Sequence, residues 1–86
     1  MSHKSITKDE LFLVKLFELA QRLGDTYADV DRYAVGKSMS QNDKSVDNIV
    51  RMLAQTNFIV KTEGNAIKLT LQGERFVESL LEQVKR

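Results

Sequence analysis

Hydrophobic positions in this chain change from helical spacing to alternation and back. Over residues 11–23, Leu11, Phe12, Leu13, Val14, Leu16, Phe17, Leu19, Ala20 and Leu23 leave only a narrow polar stripe of Lys8, Lys15, Glu18 and Arg22. An apolar arc that wide predicts a helix contacted on two sides. Thr7 and Glu10 have the spacing of a capping box at its start, Ile6 can staple onto Leu11, and Gly24 supplies a left-handed residue to end it. The pattern over 25–40 is shorter. Asp29 is a candidate cap, Val30, Tyr33 and Ala34 are spaced as the inner face of a second helix, Gly36 lies near its end, and Met39 turns inward after it.

A third helix starts within 40–43, where any residue from Ser40 to Asp43 can cap it. Val46, Ile49, Val50 and Leu53 form its inner stripe, and Asn57, which tolerates the left-handed conformation, stops it. Residues 58–62 and 66–71 are β-prone runs around Gly64-Asn65, a pair suited to a two-residue hairpin turn. That turn sets Thr62 opposite Ile67, Val60 opposite Leu69 and Phe58 opposite Leu71, a nearly continuous apolar face, with Lys61 opposite Lys68 on the other side. The lysine pair is either comfortable beside an anion or a solvated edge that discourages aggregation. Thr70 then caps a closing helix whose Phe76, Val77, Leu80, Leu81 and Val84 share one face, with Lys85 and Arg86 at its negative end.

A chain of 86 residues makes one domain, expected over 6–86 after a loose tail over 1–5, and its core is small enough that oligomerisation would help it. Without cysteine there are no disulfides, thiolate metal sites or cysteine nucleophiles. No apolar run approaches the roughly 20 residues needed to span a bilayer, and no signal-peptide pattern opens the chain, so the expectation is a cytoplasmic protein without a membrane partner. His3 is the sole histidine and lies in the tail, and the four glycines stand singly rather than as a phosphate loop. Asp29 with Asp31, and Glu78 with Glu82, are spaced for helix surfaces and lack a histidine or cysteine to complete a metal site. The expectation is therefore a non-enzyme with no metal and no cofactor.

Residues 44–59, Lys-Ser-Val-Asp-Asn-Ile-Val-Arg-Met-Leu-Ala-Gln-Thr-Asn-Phe-Ile, resemble the recognition helix and exit of winged helix-turn-helix transcription regulators. There a polar pair precedes an inward valine, leucines follow at helical spacing, and a glycine leads into an apolar strand. Residues 67–73, Ile-Lys-Leu-Thr-Leu-Gln-Gly, resemble the second wing strand and its leucine-threonine, two residues, glycine approach to the last helix. The resemblance covers about residues 6–81, and the layout is similar to the multiple-antibiotic-resistance and related small bacterial and archaeal repressor groups. The chain departs from that pattern at 35–42, longer than the usual tight turn, and at Asn57, where glycine is typical. It departs again at Asp43 and Asp47, which put acid at the start of the recognition helix.

The resemblance implies an α+β, mainly α fold: a three-helix core, a two-stranded β-hairpin wing and a C-terminal helix. It also implies a sequence-specific DNA-binding transcription regulator, with the third helix in the major groove and the wing on the adjacent backbone. The candidate DNA contacts are Lys44, Ser45, Asn48, Arg51 and Gln55 on the helix and Lys61, Asn65 and Lys68 on the wing. Asn48 and Arg51 have the chemistry for adenine and guanine edges, Lys44 and Ser45 suit phosphates, and Asp47 can accept from cytosine.

A net charge of +1 does not by itself advertise nucleic acid. Over 30–70, Arg32, Lys37, Lys44, Arg51, Lys61 and Lys68 outnumber Asp31, Asp43, Asp47 and Glu63 by only two, so one copy would hold DNA weakly. A homodimer through the first and last helices doubles the contacts, unless the apolar arc serves only to fill one small core. The alternative reading is a winged-helix protein-protein interaction module without DNA binding, which Asp43, Asp47 and the near-neutral charge favour. Tyr27 and Tyr33 either line an effector pocket or pack, and the small volume such a chain encloses favours packing.

Overall fold

The computed structural model describes residues 6–84. The tail expected over 1–5, with His3, lies outside the described residues, as do Lys85, Arg86 and the Val84 side chain. Helix α1 (Lys8–Arg22) opens with the full capping box: the Glu10 amide donates to the Thr7 hydroxyl at 3.1 Å and the Thr7 amide to the Glu10 carboxylate at 3.0 Å. Gly24, at φ +86°, follows its C-cap Leu23 as expected. Phe12, Leu13, Val14, Leu16 and Ala20 are buried, and Leu11, Phe17 and Leu19 are half-buried. The wide arc is thus filled largely within the chain, because α1 packs against α4 (Leu71–Val84) as well as against α2 (Arg32–Ser38), α3 (Asp43–Gln55) and the sheet.

The segment before α2 corrects the sequence reading. Val30 and Asp31 form a short strand, β1 (Val30–Asp31), instead of opening a helix. Asp31, not Asp29, caps α2, its carboxylate accepting from the Tyr33 amide at 3.0 Å. The inner face of α2 is Val35 and Gly36, while Ala34 is exposed. Helical spacing among Val30, Tyr33 and Ala34 is coincidental, since Val30 is buried by pairing with Ile67. Because α2 continues to Ser38, the connection to α3 is only residues 39–42, a tight turn rather than the long segment expected over 35–42. Asn42 caps α3 by accepting from the Ser45 amide at 2.8 Å, within the expected range. Val46, Ile49, Val50 and Leu53 are buried, and Asn57 leaves the helix at φ +66°.

Strands β2 (Ile59–Lys61) and β3 (Ala66–Leu69) form the wing, and β1 joins them in an antiparallel sheet of order β1-β3-β2. The register is one residue away from expectation: Ile59 pairs with Leu69, Val60 with Lys68 and Lys61 with Ile67. The Thr62 amide donates to the Ala66 carbonyl at 2.9 Å, so the loop is Glu63-Gly64-Asn65, three residues with Gly64 left-handed at φ +58°. A one-residue shift exchanges the faces of β2. Ile59, Ile67 and Leu69 are buried and Val60 points out, while Lys61 and Lys68 fall on opposite faces and make no facing pair. Phe58 is taken up by the exit from α3, its amide bonded to the Leu53 carbonyl and its ring stacked on Phe76 at 4.7 Å; Leu71 opens α4 and is exposed.

Thr70 caps α4 as expected, accepting from the Gly73 amide at 3.0 Å, and its hydroxyl donates to the Asn57 carbonyl at 2.6 Å, which ties α4 to the end of α3. Val77 and Leu80 complete the core, with Phe76 and Leu81 half-buried beside it. Three helices, a small sheet whose hairpin projects as a wing, and a closing helix make a winged helix-turn-helix.

Candidate nucleic-acid interface

With the apolar stripe of α3 buried, the opposite stripe faces outward. Lys44, Asn48, Arg51 and Gln55 recur three or four residues apart and are all exposed. Arg51 Nη2 donates to Asn48 Oδ1 at 2.6 Å. This bond takes one lone pair of the Asn48 carbonyl oxygen, so the pair presents mainly donors, the Asn48 amide group and the remaining guanidinium N–H groups. Such an array matches acceptors: guanine O6 and N7, adenine N7 or phosphate oxygens.

Ser45 stands apart from that stripe. It is half-buried, its amide closes the Asn42 cap, and its hydroxyl donates to Gln41 Oε1 at 2.7 Å. A serine has one O–H to give, so this contact leaves none for a phosphate. Ser45 in this arrangement fixes the start of α3.

Asp47 is turned toward α2. Its Oδ1 accepts from the Tyr33 hydroxyl at 2.7 Å and lies 3.5 Å from Arg32 Nη1. The Arg32 side chain is 11% exposed. Its backbone amide and Nε both donate to the Asn65 carbonyl, at 3.0 and 3.1 Å. One residue at the start of α2 therefore reaches both α3 and the wing loop. The hydrogen bond to Asp47, with some desolvation, raises the Tyr33 phenol above its ordinary value. Asp43, in the first turn of α3, is favourably placed for the helix dipole.

On the wing Lys61 and Asn65 are exposed and Lys68 is half-buried, with Glu63 exposed in the same loop. Of the eight candidate contacts, Lys44, Asn48, Arg51 and Gln55 are brought together, Ser45 is turned to Gln41, Asn65 is coupled to α3 through Arg32, and Lys61 and Lys68 are separated. Arg32, the Tyr33 hydroxyl and Gln41 were missed in the sequence. Arg32 acquires meaning only once the cap of α2 moves from Asp29 to Asp31, which makes it the first helical residue.

No family model matches the chain, and no curated protein matches it in sequence. Among solved structures, the chain is similar to a crystal structure of a candidate transcriptional regulator from Pseudomonas aeruginosa PA01, with a TM-score of 0.63 and 16% identity over 90% of this chain. At that identity the likeness is one of fold. The chain spans 53% of the length of that neighbour.

Open grooves of about 590 Å³, lined by Asn57, Thr70, Leu71, Gln72 and Arg75, and of about 390 Å³, where Asn48 and Met52 of α3 meet Lys8 and Asp9 of α1, also mark the surface. A groove of about 220 Å³ between α1, α3 and α4 is lined by Leu13, Met52, Leu53, Phe58 and Phe76, with Asp9 and Glu10 at its rim. It falls below the roughly 300–1,000 Å³ typical of small-molecule sites. Tyr27 and Tyr33 bond to Glu74 and Asp47. Among the described residues no group of three histidine, cysteine or acidic side chains is placed to hold a metal ion, and no helix is long and apolar enough to cross a membrane.

Proposed function

We propose that this chain is a sequence-specific regulator of transcription that binds double-stranded DNA as a homodimer, with α3 in the major groove and the wing on the adjacent backbone. The observation that carries this reading is the exposed stripe of α3, where Lys44, Asn48, Arg51 and Gln55 present donors along a helix whose other face is wholly buried. A helix of 13 residues is about 20 Å long, enough to follow a groove across several base pairs. Arg51 and Asn48 then meet base edges, while Lys44, Gln55, Lys61, Lys68 and Asn65 meet phosphates and sugars. Asp47, which in isolation would repel phosphate, is held by Arg32 and Tyr33. Two copies are needed because the local excess of positive charge is small. Leu23 near the end of α1, 64% exposed, and Leu71 at the start of α4, 54% exposed, give α1 and α4 apolar surface for a second copy.

The test is titration into mixed-sequence duplex DNA at about 50 and about 200 mM salt, an interval over which several phosphate contacts cost orders of magnitude in affinity. Sizing of the same samples reads the dimer. Binding that weakens steeply with salt supports the proposal. Absence of binding at the lower salt sinks it and favours the second reading, a protein-interaction module, for which Met52, 54% exposed on α3 beside the apolar groove, is the specific observation.

A further inference from the structure

We infer that Arg32 and Asp47 act as positioning residues, a brace that locks the wing loop to the recognition helix, so that the acid on the DNA-facing helix supports selective binding instead of opposing it. The inference rests on the DNA-binding reading above. Three elements meet at this point. Arg32, first residue of α2, sends its amide and Nε to the Asn65 carbonyl in the wing loop and its Nη1 to Asp47 on α3. Tyr33, next in α2, adds a second hold on Asp47 through its hydroxyl. Arg32 is largely enclosed while the Asp47 side chain is 51% exposed, so the ion pair stands at the boundary between core and interface.

An ion pair of this exposure contributes little stability by itself. Its consequence is geometric. Arg32 spans from a backbone carbonyl of the wing to a side chain of α3, and the planar guanidinium fixes the directions of both contacts. Contacts to base edges depend on the helix and the wing engaging one duplex in one register, so a loosened wing degrades selectivity before it degrades phosphate attraction. The charge argument and the brace argument also predict opposite signs. An unheld acid near phosphate repels, and its removal tightens binding to every duplex. A braced acid, once removed, releases Arg32 Nη1 and the Tyr33 hydroxyl together, leaves Arg32 holding the wing loop but not α3, and lowers the preference for the selected sequence.

The experiment first selects a duplex from a random-sequence pool with the wild-type chain. Affinities for that duplex and for a scrambled duplex are then compared among wild type, Asp47→Ala, Asp47→Asn and Arg32→Ala, with amide hydrogen exchange followed at Thr62 and Ala66. The expected result is a loss of about tenfold in the ratio of selected to scrambled affinity for Asp47→Ala and Arg32→Ala, the size of one good base contact. Exchange at the wing amides should be faster, and Asp47→Asn, which keeps an oxygen for both donors, should retain most of the ratio. If the wild type selects a duplex and Asp47→Ala tightens both affinities equally, or leaves ratio and exchange unmoved, the brace is overturned and the DNA reading stands. A wild type that retains no duplex overturns the DNA reading, and the selectivity claim with it.

Discussion

Replacing Gly36 by alanine is expected to destabilise the chain although alanine is the better helix former. In an exposed helix interior the change would gain about 0.8–1.0 kcal/mol. Gly36, however, is buried in α2 where it crosses α3, and a methyl group there would overlap Val46 Cγ2 and stand 3.3 Å from the Gln41 carbonyl oxygen. Val46 has no exposed surface through which to move aside, and the Gly36 carbonyl accepts from both Met39 and Gln41, which pins the end of α2. Overpacking costs about 1–3 kcal/mol, and overlap with a fully enclosed, branched side chain belongs to its upper part, about 2–3 kcal/mol, so after the helix gain a net loss of roughly 1–2 kcal/mol remains. In a domain of this size that lowers Tm by roughly 4–16 °C, readable by circular dichroism on heating and checked by urea unfolding. Val46→Ala removes the group that the new methyl meets. The double variant should therefore be more stable than the sum of the single losses by about 1–2 kcal/mol. A Gly36→Ala chain more stable than wild type, or a double variant that is simply additive, would refute the close approach of α2 and α3.

Further outcomes follow from the caps, the interface and the phenols. Thr70→Val removes the α4 cap and the donor to the Asn57 carbonyl, and should cost about 1–2 kcal/mol in urea unfolding. Arg51→Ala should lower affinity for a selected duplex by roughly 5- to 150-fold and relax base preference, whereas Lys61→Ala should weaken selected and scrambled duplexes alike. Tyr27, bonded to Glu74, and Tyr33, bonded to Asp47, titrate above the ordinary value of 10.0, because the protonated phenol is the hydrogen-bond donor. A phenol raised on folding contributes stability that is complete below its unfolded value and is lost as pH rises through its folded value, so this source leaves stability flat across neutrality and reduces it only at strongly alkaline pH. Ultraviolet titration of wild type and Tyr27→Phe, folded and in denaturant, checks this; coincident folded and unfolded midpoints would contradict it.

What the sequence made legible was local. Thr7 with Glu10, Asn57, and Thr70 as a cap act through bonds to residues three positions away or through their own backbone angle, and each does in the structure what its chemistry suggests. Only the further bond from Thr70 to the Asn57 carbonyl is long-range. The inner stripe of α3 was equally plain, and with it the exposure of Lys44, Asn48, Arg51 and Gln55. What failed depended on partners distant in the chain. Val30 is a strand residue only because Ile67 lies beside it, and nothing near Val30 announces that. The hairpin register was misread because Phe58, Val60 and Thr62 alternate as convincingly as Ile59 and Lys61. The deciding fact is that Phe58 is already used by the exit from α3. Misplacing the α2 cap by two residues then hid the placement of Arg32, and without it Asp47 was read as an acid facing outward, repelling phosphate or accepting from cytosine, and not as a partner of α2.

The central position of β3 has a consequence for how the molecule assembles. Its bond to β2 closes across a three-residue loop, a step that a hairpin completes in about 1–10 μs. Its bond to β1 joins Val30 to Ile67, and all of α2 and α3 lie between them. Closing that second seam incurs the entropy of a long chain segment, which is offset only after both helices have formed and docked. The sheet should therefore zip from its hairpin side early and from its β1 side last, with residues 30–31 as the latch. In the finished molecule the same latch ties the wing to the start of α2, so melting of two residues remote from the wing in sequence would be felt at once at Ala66 and Asn65.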